Sequence, residues 1–186
     1  MLKPIKSKKC AVCKSIFYPK NSLHKVCSPD CAIKLANKVK VKRLNVELRL
    51  GREKLKTRSD WLKTAQKAFN DFIRFRDKDL TCICCGLPLG DQKLGGGYDA
   101  GHYRSVGSAP HLRFNEDNCH AQRKICNQYG SGRAVDYRIG LIKKIGIQRV
   151  EALECDNKSR KYTIEELKDL VQFYRKKLKT LKDLEQ

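Results

Sequence analysis

Long apolar runs are missing from this 186-residue sequence, and acidic residues are scarce: 20 stand against 41 lysines and arginines. Crossing a bilayer takes about 20 consecutive apolar residues, so the sequence offers no membrane-spanning helix and no membrane partner is expected. The opening stretch Met1-Leu-Lys-Pro-Ile-Lys-Ser-Lys-Lys9 carries charge but no apolar segment. That argues against a secretory leader and predicts a cytoplasmic protein. Internal repeats and low-complexity tracts are also missing, and the one glycine-rich loop is Gly95-Gly-Gly97. Length then allows one ordinary domain and a small appended module.

The shortage of acids leaves a formal net charge of +21, unevenly spread. The first 81 residues hold 22 lysines and arginines against 7 acids; the remainder holds 19 against 13. A polyanion is the natural partner of such a surface, and nucleic acid is the polyanion that fits. The competing reading is a basic face that is merely solvated.

Cysteine is plentiful, with ten in the chain. In a reducing compartment, short-spaced cysteines suit metal coordination better than disulfides. Cys10-x2-Cys13 and Cys27-x3-Cys31 are separated by thirteen residues, the layout of two knuckles around a tetrahedral zinc. The metal bonds would supply folding energy that residues 1–31 cannot draw from a core. His24 is a weaker ligand and is assigned to the surface. Residues 32–58 read as a basic linker helix with only a ragged apolar stripe, Leu35, Val39, Val41, Leu44, Leu48 and Leu55. Ser59 or Asp60 would cap the next helix, whose Trp61, Ala65, Phe69, Phe72 and Ile73 form an amphipathic stripe ending near Asp79. Those aromatics are assigned to a core rather than to base stacking. Residues 59–150 are then one domain and 151–186 a C-terminal helical segment. There Thr163-x-x-Glu166 is a capping box, and the stripe Leu167, Leu170, Val171, Tyr174, Leu178, Leu181 packs on the domain or on a second copy.

Between them, Cys82-x2-Cys85-Gly, Asp99-Ala-Gly-His102, Asn118 and Cys126-Asn127 follow the order of a ββα-metal (HNH-type) nuclease site. The predicted fold class is therefore α+β, mainly helical, with a small zinc-supported HNH-like core flanked by helices and an N-terminal zinc-knuckle module. A neutral imidazole has the right basicity to take a proton from water, so His102 is the predicted general base. Asn127, placed by the adjacent zinc-bound Cys126 in the first turn of the site's helix, would offer an amide oxygen to Mg²⁺ or Mn²⁺. Asp99 is the predicted anionic ligand; a bulge at Ala100-Gly101 would bring it to the face of His102. Asn118 is placed in the site and suited to pinning the loop between strand and helix. Arg104, Arg113, Arg123 and Lys124 surround the constellation and would hold DNA phosphates. For zinc, Cys82, Cys85 and Cys126 are the predicted ligands. A regular second knuckle would need cysteine where Arg123 stands, so the fourth is Cys119 or His120, with thiolate preferred, or the site is degenerate. Cys84 and Cys155 are read as bystanders.

Asp99-Ala-Gly-His-Tyr-Arg-Ser105, Leu112-Arg-Phe-Asn-Glu-Asp-Asn118, Cys126-Asn-Gln128 and Tyr129-Gly-Ser-Gly132 resemble the NinG (Rap) recombination proteins of lambdoid phages. The likeness extends to the N-terminal cysteine module and the Trp61 helix. The Cys126-Asn127 pair is also similar to the arrangement in phage endonuclease VII. The resemblance implies a structure-specific endonuclease for Holliday junctions and other branched DNA such as D-loops, dependent on a divalent metal. It further implies phage or host recombination partners and action in the bacterial cytoplasm. Two symmetric cuts would favour a homodimer. Arg123 and Gly101 depart from the pattern of related sites. A sequence-specific HNH endonuclease and a non-catalytic zinc-containing DNA-binding protein are the alternatives.

Overall fold

Near the N-terminus the cysteines and a helix start signal occupy the same few residues. In the computed structural model, which describes residues 6–90 and 97–185, strands β1 (Lys8–Lys9) and β2 (Ile16–Phe17) pair antiparallel. The Met1–Ile5 part of the leader reading and Gly95-Gly96 of the glycine loop lie outside the described residues. Helix α1 (Pro29–Lys54) starts at Ser28, whose hydroxyl accepts the Cys31 N–H at 3.3 Å. Proline follows in the first turn, where its missing donor costs nothing. One ligand candidate, Cys31, thus sits inside the helix and another, Cys27, just before it.

Cys31 is the only buried residue of α1; Val39, Val41, Leu44 and Leu48 stay exposed. The small core around it is Cys10, Val26 and Cys31, with Val12, Phe17 and Leu35 against them. Contacts divide the chain into two compact units, Met1–Lys56 and Thr57–Gln186. The cysteine module and basic helix fall in the first; the hairpin region and the last helix fall in the second.

The second unit opens on a capping box. Thr57 caps helix α2 (Arg58–Arg76) and exchanges hydrogen bonds with Asp60. The helix therefore starts a turn's edge earlier than Ser59 or Asp60 would give, and it stops at Arg76, short of Asp79. The final helix, α5 (Ile164–Asp183), carries the Thr163–Glu166 capping box that its spacing predicts. Trp61, Phe69 and Phe72 of α2 share one core with Leu167, Val171 and Tyr174 of α5. The C-terminal stripe is accordingly covered within the chain. Phe69 stands edge-on to Tyr174 at 4.9 Å between ring centres, and each such buried aromatic contributes about 1.5–3 kcal/mol.

Strands β3 (Tyr98–His102) and β4 (Cys119–Arg123) form the second antiparallel pair. A single wide turn, Ile125–Tyr129, follows β4. Ser131, Gly132 and Arg133 with positive φ then separate it from α3 (Ala134–Ile145). Asn127 therefore sits in a one-turn π-helix of its own, which the left-handed residues keep apart from α3. Helix α4 (Ile147–Cys155) packs back on α3 through Tyr137, Leu141, Val150 and Leu153. The architecture is mainly helical, with two small two-stranded sheets.

Gly140, mid-helix in α3, has a packing reason. A Cβ there would fall 1.8 Å from the Ile83 carbonyl oxygen. Alanine gains about 1 kcal/mol of helix propensity over glycine, while forced overpacking costs about 1–3 kcal/mol, occasionally more. At backbone distance the clash wins. Gly140→Ala is expected to lower the urea midpoint of unfolding by a net loss of about 2 kcal/mol with an unchanged m-value; a raised midpoint would contradict this packing.

Candidate functional site

Two groups of thiols meet the spacing of a metal site. In the first unit, Sγ atoms of Cys10, Cys13, Cys27 and Cys31 all lie within 4.8 Å of one another. The Cys13–Cys27 and Cys27–Cys31 separations are 3.4 and 3.8 Å. Tetrahedral zinc with Zn–S bonds of about 2.3 Å sets its sulfurs about 3.8 Å apart, so these cysteines could hold zinc. Against the upward push of burial, the backbone N–H groups of Val12, Cys13 and Cys27 bring the Cys10 thiol down to about 6. His24 is not part of this group: its Nδ1 accepts the Lys20 N–H at 3.3 Å.

In the second unit Cys82, Cys85 and Cys126 converge, with Cys85 and Cys126 sulfurs 3.7 Å apart. Gly86, at φ +67°, turns the chain so that its N–H returns to the Cys82 carbonyl, the turn a CxxCG knuckle needs. A hydrogen bond from Cys84, with further ones from the N–H groups of Cys85 and Arg123, lowers the Cys82 thiol to about 4. Cys119 does not join this group. It lies opposite His102 in the strand register, its sulfur 3.7 Å from His102 Nδ1, in the core shared with α2 and α5. Burial pushes its thiol well up. The length of β4 explains the placement: the Arg123 N–H meets the Cys82 sulfur at one end of the strand, and Cys119 stands at the other. His120 is not a ligand either; its Nδ1 meets Arg76 at 2.9 Å and its Nε2–H donates to the Asp117 carbonyl at 3.0 Å. Three thiols are thus gathered in the second group among the described residues.

The sequence-predicted site residues separate into two sets. Asp99 and Asn127 come together: Asp99 Oδ2 accepts from Asn127 Nδ2 at 3.0 Å and from Gln128 Nε2 at 2.8 Å. Both are part-exposed, and Asn127 is aimed by Cys126 beside it. A carboxylate and an amide at one corner are a hard oxygen donor set, which fits Mg²⁺ or Mn²⁺. His102 lies elsewhere. The β3–β4 ladder is unbroken from Tyr98↔Arg123 to His102↔Cys119, so the bulge expected at Ala100-Gly101 is absent. The regular pleat then puts His102 on the face opposite to Asp99. There it rests 6.0 Å from the Phe69 ring, and its Nε2–H donates to the Arg113 carbonyl at 2.9 Å. Burial, aided by the Arg113 charge, lowers its pKa and keeps the ring neutral. Gly101 is filled from across the hairpin: a Cβ there would meet the buried Gln122 side chain at 2.1 Å.

Asn118 is fully buried and pins the loop. It accepts the Arg104 N–H at 2.8 Å and donates to the Arg104 and Leu112 carbonyls. Arg104 is tied down inside the protein, since its guanidinium donates to the carbonyls of Leu153, Glu154 and Asp156 at the end of α4. Helix C-termini carry partial negative charge, which explains that capture. Arg113 donates to Gln66 at 3.1 Å; Arg123 ends β4, its N–H on the Cys82 sulfur at 3.3 Å, and Lys124 follows it.

One cluster escaped the sequence reading. Asp77, 1% exposed, receives two hydrogen bonds from Arg76, one from the Ala121 N–H at 3.0 Å and one from Lys144 at 3.2 Å. It ties α2, β4 and α3 together. An acid at a helix C-terminus opposes the helix dipole, and that misfit was the one available signal. Burial alone would raise the Asp77 pKa, but the Arg76 guanidinium, with His120 and Lys144, holds it far below the carboxylate range. Because the folded pKa lies below the unfolded value of about 4, this stability is complete above that pH and is lost as pH falls further. Asp77→Ala is expected to cost about 3–5 kcal/mol at pH 7 and to flatten the acid limb of the stability profile. A variant as stable as wild type in a pH series of urea titrations would refute the role.

A model of the family described as Bacteriophage Lambda NinG protein matches residues 2–185. The chain belongs to the NinG family. Its relatives named Protein ninG include one from Salmonella phage P22, 41% identical, covering 92% of this chain and 91% of the relative. The one from Escherichia phage lambda is 39% identical over 92% and 90%; that from Escherichia phage 933W is 38% identical over 98% and 97%. No solved structure matches this NinG chain. Among its described residues, no helix is long and apolar enough to cross a membrane.

Proposed function

We propose that this NinG-family chain is a divalent-metal-dependent endodeoxyribonuclease that cuts Holliday junctions and other branched DNA in phage recombination. The observation that carries the reading is the Asp99–Asn127 pair, a carboxylate and an amide hydrogen-bonded at 3.0 Å beside Cys126 of the three-thiol group. Bound Mg²⁺ or Mn²⁺ would supply Lewis acidity to the phosphate and charge for the leaving oxygen. Asp99 would give it a carboxylate oxygen, and Asn127 its amide oxygen after turning over the amide that now donates to Asp99. His102 is the general base of this reading. Its Nε2–H is taken by the Arg113 carbonyl, so Nδ1 is the unprotonated nitrogen; it now faces the Cys119 thiol at 3.7 Å, and a substrate water would have to replace that contact to give up its proton there. Zinc at the thiol groups is structural, and the substrate's two-fold symmetry fits a homodimer working with phage or host recombination proteins.

A second reading has one observation in its favour. Asp99 and His102 leave β3 on opposite faces, as they would in a protein that binds branched DNA without cutting it. Incubating zinc-loaded protein with a labelled four-way junction and its linear duplex, in Mg²⁺ or Mn²⁺, separates the two. Nuclease action gives junction-selective cutting that is lost in His102→Ala while binding persists. Tight junction binding with no cutting by wild type in either metal would establish the binder.

A further inference from the structure

The polar side of α2 is not used by the core or by either thiol group. Its residues Lys63, Gln66, Lys67, Asn70 and Arg74 recur at helical spacing on the side away from Trp61, Phe69 and Phe72. With Arg113 from the hairpin loop they line a groove of about 650 Å³. Four of these side chains are cationic. Lys67 and Arg74 share a single acid, Asp71. Arg113 has only the neutral Gln66 as side-chain partner among the described residues, and burial lowers its pKa. Gln66 donates to the Asn70 side-chain oxygen at 2.8 Å, so two neutral amides stand among the cations of the groove.

We propose that this groove is a track for a DNA phosphate backbone, running past Arg113 toward the His102 side of the hairpin. The proposal rests on the reading that the chain's substrate is DNA, and it assigns the duplex-arm contact to α2, outside the cysteine modules. The chemistry is that of sequence-independent contact: cations for charge, amides for geometry, and no residue placed to read a base edge. The link to the hairpin is direct, because the residue that supplies the Arg113 guanidinium also supplies the carbonyl that holds His102. A strand lying in the groove would therefore be led past Arg113 toward the hairpin that carries His102 and Asp99.

Lys63 and Lys67 are exposed, so reversing them leaves the fold intact. Affinity for a four-way junction and for a duplex is measured by fluorescence anisotropy on the full, zinc-loaded chain without magnesium, over a salt series. Lys63→Glu/Lys67→Glu should weaken binding at least about tenfold at 100 mM salt and make the slope of log K against log salt shallower by about 2, near 0.9 per phosphate contact. Arg175→Glu/Lys179→Glu on the exposed side of α5 changes the charge equally and should leave the slope near wild type. Unchanged affinity and slope in the groove variant, or an equal loss in the α5 variant, overturns the track. Wild type that binds through the groove yet never cuts would overturn the nuclease and leave the groove standing; wild type that cuts, with the groove variant unaffected, does the reverse.

Discussion

Asp99→Ala should bind a four-way junction as wild type does and cut it about a thousandfold more slowly in Mg²⁺. The size follows from what a bound cation supplies, several kcal/mol of charge stabilisation in the transition state, at about 1.4 kcal/mol per decade of rate. Binding should persist because Asp99 adds negative charge and its side chain hydrogen-bonds, among the described residues, only Asn127 and Gln128. Removing it in a chain of net charge +21 cannot weaken attraction to phosphate. Asn127→Ala removes the neutral donor and should lose less, with part of the loss recovered in Mn²⁺. Single-turnover cleavage of a labelled junction, with anisotropy for affinity, reads both quantities. Cutting by Asp99→Ala at the wild-type rate would remove the Asp99–Asn127 corner from the chemistry, whatever His102 does.

The second large effect concerns the four-thiol group. Replacing Cys10 by serine should cost one equivalent of zinc and unfold the first unit, since zinc bonds in such small modules are worth about 10–16 kcal/mol. The apolar alternative is slight: three buried residues with three more packed against them. The chain's single tryptophan makes the result easy to localise. Trp61 is buried in the core of the second unit, so its emission should not move. Amide protection in residues 8–31 should vanish at the same time. Retained protection in a zinc-free Cys10→Ser protein would show that the module folds without metal.

The sequence was informative where spacing alone decides structure. The Thr163–Glu166 cap, the α2 stripe and the short-spaced cysteine pairs are local patterns, legible from neighbours in the chain. It was less informative where a partner from far along the chain decides. Asp99 and Asn127 could be paired on paper because Cys126 fixes the turn between them. The face taken by His102 depends on whether the ladder slips at Ala100-Gly101, and no residue type announces that it does not. Cys119 is a good zinc ligand by chemistry and a core thiol because it stands at the end of β4 away from Cys82. Arg104 reads as a phosphate contact until the end of α4, fifty residues on, is seen to hold it. Asp77 is the same lesson reversed: an ordinary helix-end acid whose three basic neighbours come from three separate elements.

The capping box at Thr57 has a genetic consequence. Thr57 and Asp60 satisfy the exposed N–H groups of α2 from within the second unit, so nothing upstream is needed to start that helix. A coding sequence cut just ahead of Thr57 would carry the hairpin, the three-thiol group and the core as one transferable cassette. Phage genes that exchange segments could change the basic front half at this seam without rewriting the back half.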